Sequence, residues 1–362
     1  MRRIFLVPLL AALGLSLPSA PKAQDAESMT VHFINVGQGD ATLLEFACGA
    51  ILVDAGGEGE ESWPAGITAV GYLSGFFEGR RDLGYTLGGM VLTHQHIDHI
   101  FGAPRVVDEF TVDRIVDNGR RAKGVARKPY KKLVDLLWRF DREDTWTKVG
   151  MDSIDKKGRV LDELDPAFAG CTTKPVFTAL WGGLAEAPAG WGRDRYGDHP
   201  IEDESNHSLV LRVDYGDASI LFTGGLERSA LKSLVARYGK GASGLLGVDI
   251  VQVGNHGASD GITEGLLKAM SPEVAVLSMG AAWRHGEWTA ADHGHPRRDV
   301  VELLAKGVSG KRPVTTVRVF EGEDTPYDKV ALKKAVYGTG WDRTVVMDVT
   351  PKGDVSVVWP GK

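Results

Sequence analysis

"VLTHQHIDH", residues 91 to 99, places three histidines and an aspartate within six positions, directly after a short apolar run. In an extended segment alternate side chains point the same way, so His94 and His96 present two imidazoles to one side. Two such nitrogens reach a single cation at about 2.0–2.1 Å. Asp98 and His99 follow where the chain turns into the helix-like "HIFGAPRVV", placed to hold a second cation beside the first. Histidine with carboxylate suits zinc and related metals. The bland alternative is a histidine-rich surface turn.

The loop is fed by "GGMVLT" (88 to 93), a short buried strand. Upstream, "MTVHFINVG" (29 to 37) alternates and is rich in β-formers, and "QGD" then makes a turn. "ATLLEF" and "AILVDAGG" read as two more strands closed by glycines. Downstream, "SLVLRVDYGDASILFTGG" reads as a hairpin turning at "YGDA". "VDIVQVGNHG" and "EVAVLSMG" are strands that end in glycine-containing loops. "ERSALKSLVARYG" and "RRDVVELLAKG" are helical in period and stopped by glycine. "PVTTVRVF", "RTVVMDV" and "DVSVVW" close the chain as strands. The strands fall in two clusters, each with helices, and no clean linker divides them. One domain over residues 29–360, built of two facing sheets with outer helices, is expected. Residues from about 112 to 205 are less regular and read as an insertion near the site.

The N-terminus has a different character. Arg2 and Arg3 precede an apolar stretch from Ile4 to Leu17, then small residues and proline, the layout of a secretory signal peptide over residues 1–23. An uncleaved anchor is the alternative, although the stretch is short for a membrane span. Periplasmic or secreted localisation is expected, with no stable membrane association after cleavage. Removing the three basic side chains of that segment leaves 39 basic against 48 acidic groups, a net charge of −9. Such a balance does not mark a general nucleic-acid binder. Against it stands "GRRAKGVARKPYKK" (119 to 132), with seven basic residues and no acid. It either grips phosphates beside the site, with Tyr130 available for stacking, or is a solvated face. Cys48 and Cys171 are the only two cysteines. An oxidising compartment permits a bridge between them, and two unpaired thiols remain the alternative.

"THQHIDH" resembles the HxHxDH signature of the metallo-β-lactamase superfamily. "VHFINVGQGDATLLE", "ILVDAGG", "NHSLVLRVDYGDASILFTGG", "VGNHGAS" and "HGHP" are similar, in order, to the landmarks of its ComEC-type branch, the extracytoplasmic hydrolase domain of DNA-uptake proteins and its free-standing relatives. The resemblance runs from about residue 29 to 310. It implies an αββα sandwich with the site at one end of two mixed sheets. It makes His94, His96, Asp98 and His99 metal ligands, Asp98 also being the catalytic residue. His207 in "ESNHSLV" would be the third histidine of the first cation, and His256 in "GNHGAS" the final ligand of the second. Asp54 would orient the histidine loop from behind, and His295 in "HGHP" would face the cleft.

Three positions depart from the family pattern, the first being His207, where ComEC-type sequences usually lack histidine. Asn255 stands where the branch usually has a histidine. In "LFTGGLE" (221 to 227) Gly225 stands where an aspartate usually bridges the two metals. Loss of a bridging anion raises repulsion between two dications, so the second cation is expected to be the weaker, and Gly225→Asp to restore it. The implied activity is that of an exported hydrolase using one or two Zn2+ ions (or Mn2+ or Fe) to deliver metal-bound hydroxide to an ester. The resemblance favours a phosphodiester, either nucleic acid or a small-molecule phosphoester, over a lactone or β-lactam. The alternative is a non-catalytic binding protein that kept the fold and lost the bridge.

Overall fold

The computed structural model describes residues 28–57, 69–193, 199–239, 244–323 and 325–358. The expected signal peptide lies outside them. The first sheet has eight strands, in spatial order Val355–Val358, Val345–Val349, Met29–Phe33, Thr42–Phe46, Gly49–Val53, Gly89–Val91, Ile115–Asp117 and Trp146–Lys148. The second has seven: Val336–Gly338, Val274–Leu277, Ile250–Gln252, Ala218–Phe222, Val210–Tyr215, Val176–Trp181 and Arg159–Val160. Each sheet is antiparallel on one side and parallel on the other; Gly49–Val53 runs parallel to Gly89–Val91, and Ala218–Phe222 parallel to Ile250–Gln252.

Period-2 alternation assigns the faces. Leu44, Phe46, Ile51, Val53 and Val91 point inward and share a core with Leu211, Val213, Ile220 and Phe222 of the second sheet. Their neighbours Leu43, Leu52, Met90 and Ile115 point outward, against Leu73, Phe77, Val106, Leu133 and Leu136. Those residues come from the helices Ala69–Gly79, Ala103–Glu109 and Arg127–Arg139. On the far side, Arg228–Tyr238, Glu264–Met270 and Arg298–Gly307 cover the second sheet. Fully burying each such Leu, Ile or Phe stabilises by about 1.5–3 kcal/mol, so a one-residue slip in any strand would forfeit both layers at once. The αββα layering follows.

Residues 112–205, read as an insertion near the site, supply the last two strands at one end of the first sheet and the last two at one end of the second. "PVTTVRVF" joins neither large sheet; Lys311–Val319 pairs with Asp328–Lys334 as a separate hairpin. Cys48 and Cys171 are disulfide-bonded, with Cα atoms 5.3 Å apart. The bridge ties the turn after Thr42–Phe46 to the end of the Asp162–Phe168 turn of helix.

Four of the site segments lie just beyond the C-terminal ends of strands. Asp54 follows Val53, the histidine loop follows Val91, Gly225 follows Phe222, and His256 follows Gln252. Parallel strands in both sheets bring these ends to one rim of the sandwich.

Candidate metal centre

The histidine loop is held by its backbone. Asp98 O accepts from Asp40 N at 3.0 Å, and His99 O accepts from Ala55 N at 2.9 Å. The packing is so close that a Cβ on Gly56 would lie 1.5 Å from Asp98 O. Glycine is required there because the "DAGG" turn presses directly on the loop.

His94 Nε2 and His96 Nδ1 are 3.2 Å apart. Two bonds of about 2.0–2.1 Å at a tetrahedral angle put donor atoms about 3.3 Å apart, so this pair is spaced for one shared cation. Burial and the neighbouring histidines hold His94 well below its ordinary pKa, which leaves it neutral and able to donate a lone pair. Thr93 Oγ1 lies 3.2 Å from His94 Nδ1, and Ser205 Oγ lies 3.5 Å from His96 Nδ1.

Asp54 has a left-handed backbone, φ 56°. Its carboxylate accepts from Thr93 N, Thr93 Oγ1 and His99 Nδ1, each at 2.7 Å. That bond orients the His99 ring and leaves Nε2 as its other edge. His256 also has a left-handed backbone, φ 53°, and its Nδ1 donates to Ser278 O at 2.8 Å. Its Nε2 meets Asp98 Oδ2 at 2.8 Å.

A fourth member was not assigned from the sequence. Asp40, in the "QGD" turn, is buried, with Oδ2 3.5 Å from His99 Nε2 and 3.7 Å from His256 Nδ1. Ligand atoms of Asp40, His99 and His256 all lie within 4.8 Å of one another. The flanking glycines of "GQGD" hinted at a close-packed turn, but nothing local showed where its acid points.

The charges argue for a cation here. Burial opposes ionisation of Asp98, but the His256 bond and nearby histidines outweigh it and hold its pKa well below the usual range. Burial likewise opposes charge on His99, but Asp54, Asp40 and Asp98 push it up to about 10. Protons on the rings balance the converging carboxylates when no cation is bound. A dication would displace them, as metal sites commonly do. Two histidine nitrogens with two carboxylates make a donor set that zinc accepts.

His207 is not part of this group. Its Nδ1 accepts from Leu184 N at 3.0 Å and its Nε2 donates to Ile201 O at 2.8 Å. Both nitrogens serve buried backbone groups, and the residue is a structural histidine rather than the third ligand expected from the sequence. Gly225 does lie at the site: a Cβ there would stand 2.8 Å from His94 Nε2 and 3.2 Å from the Ser205 Cβ. The space a bridging aspartate would use is therefore filled by the His94 ring.

A cleft of about 780 Å³ opens over the site, lined by His96, Asp98, His256 and His295 together with Phe101 and Trp288. Lys123, at its rim, pairs with Glu204 at 2.5 Å, and Arg120 approaches the same acid at 3.5 Å. Tyr130 is not available for stacking: its ring packs on Trp146, and its hydroxyl donates to Arg120 O at 3.1 Å.

A family model described as the metallo-beta-lactamase superfamily matches residues 34–281. Competence protein ComA of Neisseria gonorrhoeae is 36% identical over 108 residues, covering 30% of this chain and 15% of its own length. Recombination protein 2 of Haemophilus influenzae is 24% identical over 283 residues, covering 78% of this chain and 28% of its own. The chain thus spans less than a third of the length of these relatives. Among solved structures, Igni18, a metallo hydrolase from Ignicoccus hospitalis, aligns at 14% identity over 84% of this chain and 99% of that one, with a TM-score of 0.40.

Proposed function

The chain belongs to the metallo-β-lactamase superfamily, on the branch of the ComEC-type competence proteins, and from that premise we propose that it is an exported metal-dependent hydrolase acting on a phosphodiester or related ester. The observation that carries the reading is the convergence of Asp40, His99 and His256, with Asp98 bonded to His256, beside an open cleft that Asp98 and His256 line. A bound dication there supplies a Lewis acid and activates water near neutral pH. The chain's own residues would do the rest. Asp54 and Ser278 O fix the His99 and His256 rings, and Asp98 joins the ligands at the edge that faces the cleft.

The donor count favours one principal cation, held by Asp98, His99, His256 and Asp40. At the edge that His94 Nε2 and His96 Nδ1 share, the described residues add no further histidine or carboxylate: Ser205 Oγ lies 3.5 Å from His96 Nδ1, His207 is committed elsewhere and Gly225 gives no bridge. That ordering reverses the one expected from the sequence. Zinc fits the set, with Mn2+ and Fe as alternatives.

A phosphodiester is favoured by the relatives, which are named for competence and recombination. Export is favoured by the Cys48–Cys171 bond, since disulfides persist in oxidising compartments. Among the described residues, no helix is long and apolar enough to cross a membrane. A second reading, a binding protein without catalysis, draws on the absent bridge at Gly225 and the diverted His207. Metal analysis with a screen on bis-p-nitrophenyl phosphate, DNA, lactones and nitrocefin separates the two. Retained metal with turnover of the phosphodiester supports the hydrolase; retained metal with no turnover of any ester supports the binding protein.

A further inference from the structure

His295 lines the cleft beside His256, with ring centroids 6.3 Å apart. It is reached from the other sheet by Gln38, whose Nε2 lies 3.1 Å from His295 Nδ1. The orientation of an amide is ordinarily ambiguous, because its oxygen and nitrogen look alike. Here the backbone decides it. Gln38 Oε1 accepts from Gly280 N at 3.1 Å, and a peptide N–H can only donate. The amide nitrogen must therefore face His295, and an amide NH2 can only donate as well. Nδ1 of His295 is the acceptor, so the neutral ring carries its proton on Nε2.

The ring is also held in place. His295 N donates to Ala290 O at 2.8 Å, and His293 stacks on its face with centroids 5.7 Å apart. Among the described residues no protein acceptor takes the Nε2 proton.

We propose that His295 is a fixed hydrogen-bond donor, through Nε2–H, to an oxygen of the phosphoryl or acyl group bound in the cleft, with Gln38 as the positioning residue that sets its tautomer. The inference rests on the hydrolase reading for the identity of that group, but the tautomer and the Gln38 contact do not depend on turnover. A donor held fixed beside the place where negative charge develops would need little reorganisation during reaction, and removing one such group typically lowers kcat by about 10²–10³-fold.

The test is 1H–15N NMR of the histidine rings in zinc-loaded protein, with His295 assigned by His295→Gln and inorganic phosphate as the probe. The expected result is an Nε2–H tautomer for His295 whose ring signals move on phosphate addition. In Gln38→Glu the new carboxylate accepts rather than donates, so the ring should switch to Nδ1–H while the fold and metal content persist. Phosphate affinity should then fall about tenfold or more, and kcat on bis-p-nitrophenyl phosphate should fall with KM little changed. A wild-type Nδ1–H tautomer, ring signals unmoved by phosphate, or a Gln38→Glu protein that keeps the Nε2–H tautomer would each overturn the proposal. A protein that shows the tautomer and phosphate results yet hydrolyses no ester would sink the hydrolase reading and leave the donor standing.

Discussion

His256 Nε2 lies 2.8 Å from Asp98 Oδ2, although the two residues are 158 positions apart in sequence and belong to opposite sheets. With Nδ1 committed to Ser278 O, the ring has only this edge to offer. The contact joins the two halves of the sandwich at the point where a cation is proposed.

Asp40 and His207 should separate cleanly in metal binding. Asp40→Asn removes a buried negative charge facing His99 and His256 and should weaken zinc affinity at least tenfold. His207→Ala should leave zinc affinity unchanged. It should instead lower the melting temperature, because it orphans Leu184 N and Ile201 O, and a buried unsatisfied group costs about 1–3 kcal/mol. Competition titration against a chromogenic chelator, with thermal melts, reads both. Zinc loss in His207→Ala at unchanged stability would restore it as a ligand.

Gly225→Asp should not rebuild a second metal position. Its Cβ would meet the His94 ring at 2.8 Å, and overpacking of this kind typically costs about 1–3 kcal/mol. The expected protein is less stable, with zinc stoichiometry no higher than wild type. A stable Gly225→Asp that binds an additional zinc would show that His94 gives way without loss.

Much of this arrangement was legible in the sequence, and the reasons are local. The spacing of His94, His96, Asp98 and His99 survives any tertiary detail, because one loop carries all four. "ATLLEF" and "AILVDAGG", read as strands closed by glycines, are Thr42–Phe46 and Gly49–Val53 of the first sheet. Where the reading failed, the missing fact was a direction or a long-range contact. His207 precedes a strand as expected, but its short helical turn points the ring into the protein. Asp40 becomes part of the site only when its turn docks on the histidine loop, which lies far along the chain. The strands Ile115–Asp117 and Trp146–Lys148 are three residues each, too short to show a period.

Asp117 should make stability depend on pH. Burial pushes its pKa up to about 7, and its carboxylate accepts from Gly119 N at 2.8 Å and Gln95 Nε2 at 3.3 Å. The folded state then holds a proton that the unfolded state releases near pH 4. Stability from this group is full below about pH 4 and declines as pH rises to about 7, by about 4 kcal/mol at most. Asp117→Asn cannot ionise, and Gln95, whose Oε1 has no partner among the described residues, can flip to accept from the new amide. Melts should show the Asp117→Asn protein stabilised at pH 8 and little changed at pH 4.5. Equal effects at both values would refute the assignment.

Reduction of Cys48–Cys171 should destabilise the chain without rearranging it. The bond closes a loop across a sequence separation of 123. The chain-entropy model puts such a loop at roughly 5 kcal/mol, and native disulfides more often measure about 2–4. Cys48→Ser/Cys171→Ser protein should melt several degrees lower with an unchanged circular dichroism spectrum. An unaltered melt would mean that the bond adds nothing to stability.

The central claim is that a cation held by Asp40, Asp98, His99 and His256 drives ester hydrolysis, and a zinc titration of chelated protein tests it most directly. Bis-p-nitrophenyl phosphate hydrolysis should be absent after chelation and return with added zinc. It should saturate at about one equivalent per chain, and Asp98→Ala should not recover. Turnover that survives chelation, or a chain that retains zinc at the site and still hydrolyses nothing, would contradict the account.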